Sequence, residues 1–191
     1  MGYSRIHNLP CARMKVRWKS FDEYLNSLRS EYRNKLASRM RKARSLSFQL
    51  IRDFHSHAPV LARLWKNAYD HAKEYRRELL RETFFESFHR NLPNRSAIIL
   101  AALNSRPVGF MLLLYDDNTL TPLYCGLDYE HSKESAVYFN LFYETIRVAI
   151  EQQMTDIDFG ITSMIPKIEL GAEIVPLSMF MRHRNGILNK V

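Results

Sequence analysis

Glycine is scarce in this chain, with six among 191 residues, and cysteine is scarcer, with two. The glycines occur in neither the GxGxxG nor the GxxxxGK[ST] spacing, so a dinucleotide fingerprint and a P-loop are both excluded. GxSxG and HExxH are absent too, which removes the nucleophile-elbow hydrolases and the HExxH zinc enzymes. Cys11 and Cys125 form no CxxC and no metal-ligand spacing, and they read as reduced thiols in a cytoplasmic protein. His55 and His57 stand two apart without a third ligand at helical spacing, so no metal site is expected. No apolar run reaches the length of a membrane-spanning helix, and the first residues lack the continuous apolar stretch of a signal peptide. A DFG triplet at Asp158–Gly160 lacks every companion element of a kinase. Internal repeats and low-complexity tracts are also missing.

What is present is an ample apolar complement, 46% of residues with 12% aromatic, enough for one packed core. The net charge of +8 is unevenly placed. Residues 1–45 hold twelve Lys and Arg against three Asp and Glu, whereas the remainder is close to neutral. The basic segment fits a local anionic partner such as a phosphate-bearing ligand, RNA or lipid headgroups, or else a solvated helix face.

The first 19 residues show no structured opening element and read as an extension, which fits a domain cut from a longer protein. Ser20 and Glu23 form a capping box for one long amphipathic helix with a basic outer side, running to about residue 45. LSFQLIRDF alternates as a strand. Residues 58–92 read as helical with a break near 76–80, starting at Pro59. AIILAAL, VGFMLLLY and LTPLYCGL form an antiparallel meander turned by NSRP and DDNT. A helix apolar on nearly every side follows, then a short strand TDIDFG, a short helix SMIPKIEL, and a last strand AEIVPLSMFMRH interrupted at Pro176. The order is mixed α/β with one central sheet, the long apolar helix crossing over to a parallel neighbour.

Three positions stand out chemically. Cys125 follows a strand and is either packing or a nucleophile. The turn from Leu127 to Ser132 and Lys133 begins a helix, so it either holds a phosphate or is an ordinary capped turn. Lys167 is alone among Met164, Ile165, Pro166, Ile168 and Leu170, either with a wet head and a covered stem or facing an anion in a cleft.

Taken together, GLDYEHSKESAVYFNLFYETIRVAIEQQMTDIDFG and TSMIPKIELGAEIVPLSMFMRHRN resemble the C-terminal half of a GNAT-superfamily domain. The similarity is to the Fem-like acyltransferase branch, which includes enzymes that add amino acids to peptidoglycan peptides. SFDEYLNSLRSEYRNKLASRMRKA resembles the helix that opens such domains, and SRPVGFMLLL one of their hairpins. The most specific part is Lys-x-x-x-Gly-Ala, Lys167 to Ala172, after a strand ending in Gly160.

The resemblance implies an α/β (α+β) fold, a mixed central sheet with a splayed parallel strand pair flanked by helices. It covers a single domain over 20–191 after the 1–19 extension. It implies acyl transfer from an acyl-CoA thioester to an amine acceptor. LYCGL and TDIDF become the splayed pair, with Tyr124, Cys125, Gly126 and Leu127 offering main-chain groups to the donor. His131, Ser132 and Lys133 would receive its pyrophosphate, Thr162 and Ser163 would line its path, and Lys167 would overlook the transferred group. Asp128, Glu130 and Asp158 lie near the right strand ends. Asp128 and His131 are the candidates for handling the amine proton.

The usual GNAT phosphate signature is absent between Leu127 and Val137. Fem-like enzymes commonly carry two such units, so a homodimer or a second GNAT half is expected. Two alternatives stay open: a tRNA-dependent aminoacyl transferase using Arg29, Arg33, Arg39 and Arg41, and a non-catalytic GNAT module.

Overall fold

The computed structural model describes residues 3–72, 78–132 and 135–184. The chain runs β1 (Ser4–His7), β2 (Cys11–Lys15), α1 (Phe21–Ser27), α2 (Ser30–Lys42), β3 (Leu46–Ile51), a 3-10 turn, α3 (Ala58–His71) and α4 (Glu82–Asn91). It continues through β4 (Ser96–Leu103), β5 (Arg106–Asp116), β6 (Thr119–Leu127), α5 (Tyr129–Ser132), α6 (Val137–Glu151), β7 (Asp156–Asp158), α7 (Met164–Glu169), β8 (Glu173–Val175) and β9 (Ser178–Met181).

Local chemistry sets most boundaries. Ser20 Oγ accepts from the Glu23 amide at 3.1 Å, and the Glu23 carboxylate reaches back to the Lys19 amide at 2.7 Å. This is a capping box displaced by one residue on its return bond. Pro59 opens α3, where its missing N–H costs nothing. Asn104, Ser105 and Asp117 take positive φ in the tight turns of the meander.

The expected single N-terminal helix is two helices. Leu28 turns extended, with φ −72° and ψ 147°. Neither glycine nor proline breaks the helix there. Burial of Leu28 in the core does, and the Arg33 guanidinium donates to the freed carbonyls of Asn26 and Leu28. The first 19 residues also differ from the expectation of an unstructured start. β2 lies inside the main sheet, between β7 and β8, with Arg13 opposite Asp158 and Lys15 opposite Asp156. Both pairs form salt bridges, at 3.0 and 2.6 Å.

The main sheet has seven strands in the order β3-β4-β5-β6-β7-β2-β8. Its neighbours are antiparallel except β6 and β7, which α6 joins as a parallel crossover pair. The expected last strand is two. Pro176 ends β8 at the sheet edge, and β9 leaves to pair with β1 in a separate two-stranded ribbon.

Two apolar clusters sandwich the sheet. On one face Leu61, Leu64 and Phe85 of α3 and α4 pack on Ile98, Phe110 and Leu112. On the other, Tyr24, Leu36, Leu141 and Ile146 of α1, α2 and α6 pack on Ile99, Met111 and Leu113. Each such side chain contributes about 1.5–3 kcal/mol when fully buried. Gly126 of β6 sets the distance of α3. A Cβ there would sit 2.8 Å from the Leu64 carbonyl carbon and the Trp65 nitrogen, so the helix backbone lies directly on the strand.

Candidate functional site

β6 and β7 begin together and then part. Thr119 faces Asp156 and Leu120 faces Ile157, and the register ends there. β6 continues to Leu127, whereas β7 stops at Asp158. Two features pull the strands apart. On β6 a bulge lies opposite Leu112 and Leu113, next to Pro122, which has no N–H to offer a neighbour. On the other side the chain beyond β7 stays with β2. Phe159 N donates to Ala12 O at 2.9 Å, and Ala12 N donates to Gly160 O at 3.0 Å. β2 therefore holds the far wall of the gap. Gly160, at φ +74°, then turns the chain toward α7.

A cavity of about 470 Å³ fills this gap, within the size range of small-molecule pockets. Its lining comes from both faces of the sheet. Trp65 and Tyr124 belong with the α3 cluster, and Phe142 and Phe159 with the α6 cluster. The cavity thus passes through the sheet where the strands separate. Cys125, Thr162, Ser163 and Lys167 also line it, so the structure brings these sequence candidates together with Tyr124.

Lys167 is 2% exposed. Its ammonium donates to the carbonyl of Thr162 and to that of Gly160, the latter at 3.4 Å. Desolvation pulls it down from the usual lysine value to about 8, against the opposing pull of the Asp158 charge. An ammonium has three N–H groups, and among the described residues the two carbonyls leave one for a ligand.

Cys125 has the opposite character. The residue is half-buried at the cavity wall, and desolvation pushes its thiol up to about 12, which disfavours the thiolate a nucleophile needs. Tyr138 of α6 was hidden in the sequence within an apolar helix. It lines the cavity, and desolvation raises its phenol. Glu78 had no sequence signal either, because it falls in the break between two helices. Its carboxylate accepts from the Tyr124 hydroxyl at 2.8 Å, and its carbonyl accepts from the Trp65 indole at 3.1 Å.

Gly126 and Leu127, the other half of the expected donor strand, are buried under α3 and in the α6 cluster, and they do not line the cavity. The structure pairs Asp128 with His131 but sets both outside the cavity lining. Asp128 accepts from the His131 amide at 3.3 Å and faces its Nδ1 at 3.1 Å. It also accepts from Arg106 at 3.3 Å, with Arg63 at 3.8 Å. Burial alone would raise its carboxyl; the bonds from His131 and the charges of His131 and Arg106 hold it below the usual range. Lys133 and the Ser132 side chain lie outside the described residues.

The basic helix is partly committed to the fold. Arg39 bonds Glu169 at 2.7 Å, and its guanidinium lies 3.5 Å over the Phe139 ring. Lys35 bonds the same carboxylate. Arg33 serves the α1–α2 break, whereas Arg29 and Arg41 are exposed. Among the described residues no helix is long and apolar enough to cross a membrane.

A family model described as an acetyltransferase (GNAT) domain matches residues 30–167. A protein of Mycobacterium tuberculosis (strain CDC 1551 / Oshkosh), provisionally named 8-amino-7-oxononanoate synthase 2, is 30% identical over 190 residues, 96% of this chain and 24% of its own. The chain therefore spans about a quarter of the length of that curated relative. Among solved structures, FemX superposes with a TM-score of 0.68 at 13% identity, over 89% of this chain and 60% of that one. A GCN5-related N-acetyltransferase from Kribbella flavida gives 0.52 at 10% identity, over 94% of this chain and 59% of that one. At these identities the two structures share the fold.

Proposed function

Because this chain belongs to the acetyltransferase (GNAT) family, we propose that it transfers an acyl group from an acyl-CoA thioester to an amine. The observation that carries this reading is the parting of β6 from β7 after Leu120 and Ile157, with a cavity and a buried ammonium in the gap. From Thr121 onward the β6 edge facing β7 has no strand partner among the described residues, so its main-chain groups are free to pair with the amides of a pantetheine arm. The aromatic walls suit its apolar stretches. α6 opens at Ala136 without a side-chain cap, which leaves N–H groups for phosphate oxygens even though the glycine-rich signature is absent.

The amine nitrogen attacks the acyl carbonyl carbon. As the C–N bond forms, negative charge gathers on the carbonyl oxygen, and the remaining N–H of Lys167 is available to it. The C–S bond then breaks, the nitrogen gives up its surplus proton to water, and the leaving thiolate takes a proton from water in turn, while the Tyr138 hydroxyl, held neutral by desolvation, can donate a hydrogen bond to the sulfur. No covalent enzyme intermediate is needed, in keeping with a protonated Cys125. Free Cys11 and Cys125 support a cytoplasmic setting.

The charge excess of residues 1–45 favours a second reading, transfer from aminoacyl-tRNA. With Arg33 and Arg39 used within the fold, that reading rests on Arg29 and Arg41.

Thermal unfolding against CoA, acetyl-CoA, longer acyl-CoAs and tRNA separates the two readings. We expect the CoA compounds to raise the midpoint and tRNA to leave it unchanged. A shift with tRNA alone supports the second reading, and no shift with any compound removes both.

A further inference from the structure

Glu78 and Lys167 are the charged side chains among the described residues that line the cavity. They belong to different sides of it. Lys167 is tied to the loop after β7, within the part walled by Tyr138, Phe142 and Phe159. Glu78 joins Trp65 and Tyr124 on the α3 side. The Trp65 and Tyr124 rings meet edge to face, with centroids 5.0 Å apart. The Tyr124 hydroxyl occupies one carboxylate oxygen of Glu78. The second oxygen keeps its acceptor capacity, and the carboxylate is fixed against the aromatic pair by the indole bond to its own main chain.

We infer that Glu78, Trp65 and Tyr124 form the acceptor-recognition site and that it takes a protonated amine on an apolar body. This rests on the N-acyl transfer reading and adds the substrate class to it. A carboxylate with an open oxygen at the edge of an aromatic pair binds an ammonium through charge, leaves the rings to the ammonium's apolar body, and repels an anionic acceptor. The cation at the other side gives the cavity a direction. An ammonium is drawn to Glu78 and kept from the Lys167 side, so the amine enters on the α3 face and the thioester occupies the gap beyond. The bound ammonium gives its proton to water at the exposed Glu78 end of the cavity before the nitrogen attacks.

The test uses the full chain and two probes of matched shape, 2-phenylethylamine and 2-phenylethanol, titrated calorimetrically at neutral pH. The wild type is expected to bind the amine about tenfold more tightly than the alcohol. Glu78→Gln keeps an acceptor for Tyr124, so the fold stays intact, and it should bring the two probes to within about twofold. Glu78→Asp keeps the charge and should retain a clear amine preference. An unchanged preference in Glu78→Gln, or no preference in the wild type, overturns the assignment. Acetyl-CoA binding is measured alongside. Its retention when the preference proves absent removes Glu78 alone, whereas an intact preference without CoA binding removes the acyl-CoA reading and leaves the ammonium site.

Discussion

The ammonium of Lys167 donates to the carbonyl of Gly160 at 3.4 Å, at the residue where the chain turns away beyond β7. The same carbonyl accepts from Ala12 of β2 at 3.0 Å. One peptide group thus ties together the strand that holds the gap open and the cation that overlooks it.

That arrangement gives Lys167 a role in turnover. Lys167→Met should lower kcat by about tenfold or more, the scale of losing one hydrogen-bond donor to a developing oxyanion. The fold should survive, because the methionine fills the buried path. Steady-state kinetics with circular dichroism on the same sample checks both, and wild-type kcat in the variant removes the role.

Stability should depend on pH through the same residue. Desolvation lowers Lys167 to about 8 in the folded chain, whereas the unfolded chain holds its proton to the ordinary lysine value of 10.5. Between those values the unfolded state binds more protons, so stability rises as pH rises. Below about 8 both states are protonated and the slope is absent. Urea midpoints between pH 7 and about 9.5, below ordinary tyrosine ionisation, should climb in a Cys125→Ala background, which removes the opposing contribution of the raised thiol. Lys167→Met in the same background should flatten that climb, and an equal climb in both would contradict the assignment.

Gly126 should resist substitution. A methyl there meets the α3 backbone at 2.8 Å, which cannot give as a side-chain tip can. Gly126→Ala should cost about 1–3 kcal/mol or more, the range for overpacking a tight interface. A denaturant midpoint equal to the wild type would show that α3 can retreat freely.

Cys125→Ala should keep turnover within about threefold, since a thiol held protonated at about 12 is not a nucleophile at neutral pH. Loss of turnover together with loss of an acyl-enzyme in mass spectrometry would reverse that conclusion.

Much of this was legible where the cause is local. Ser20 with Glu23, Pro59 and Pro176 mark real boundaries because capping and a missing N–H act over a few residues. Lys167 was visible as one charge in an apolar run. β2 was not, because five residues reading CARMK acquire their strand only from partners near position 158. Its matched charges, Arg13 with Asp158 and Lys15 with Asp156, have meaning once the register is known. The break at Leu28 comes from tertiary burial overriding helical periodicity. Glu78 lay in an ordinary-looking connection, and its role depends on Trp65 and Tyr124 reaching it across the fold. Asp128 was legible as a strand-end carboxylate, but not as the acceptor for His131 and Arg106.

The central claim is that the gap between β6 and β7 receives the thioester arm. A crystal structure with bound CoA tests it most directly. The account predicts density for the arm along the β6 edge beyond Leu120, with the sulfur in the cavity shared by Tyr124 and Lys167. CoA ordered at another surface, with β6 and β7 closed on each other up to Leu127, would contradict it.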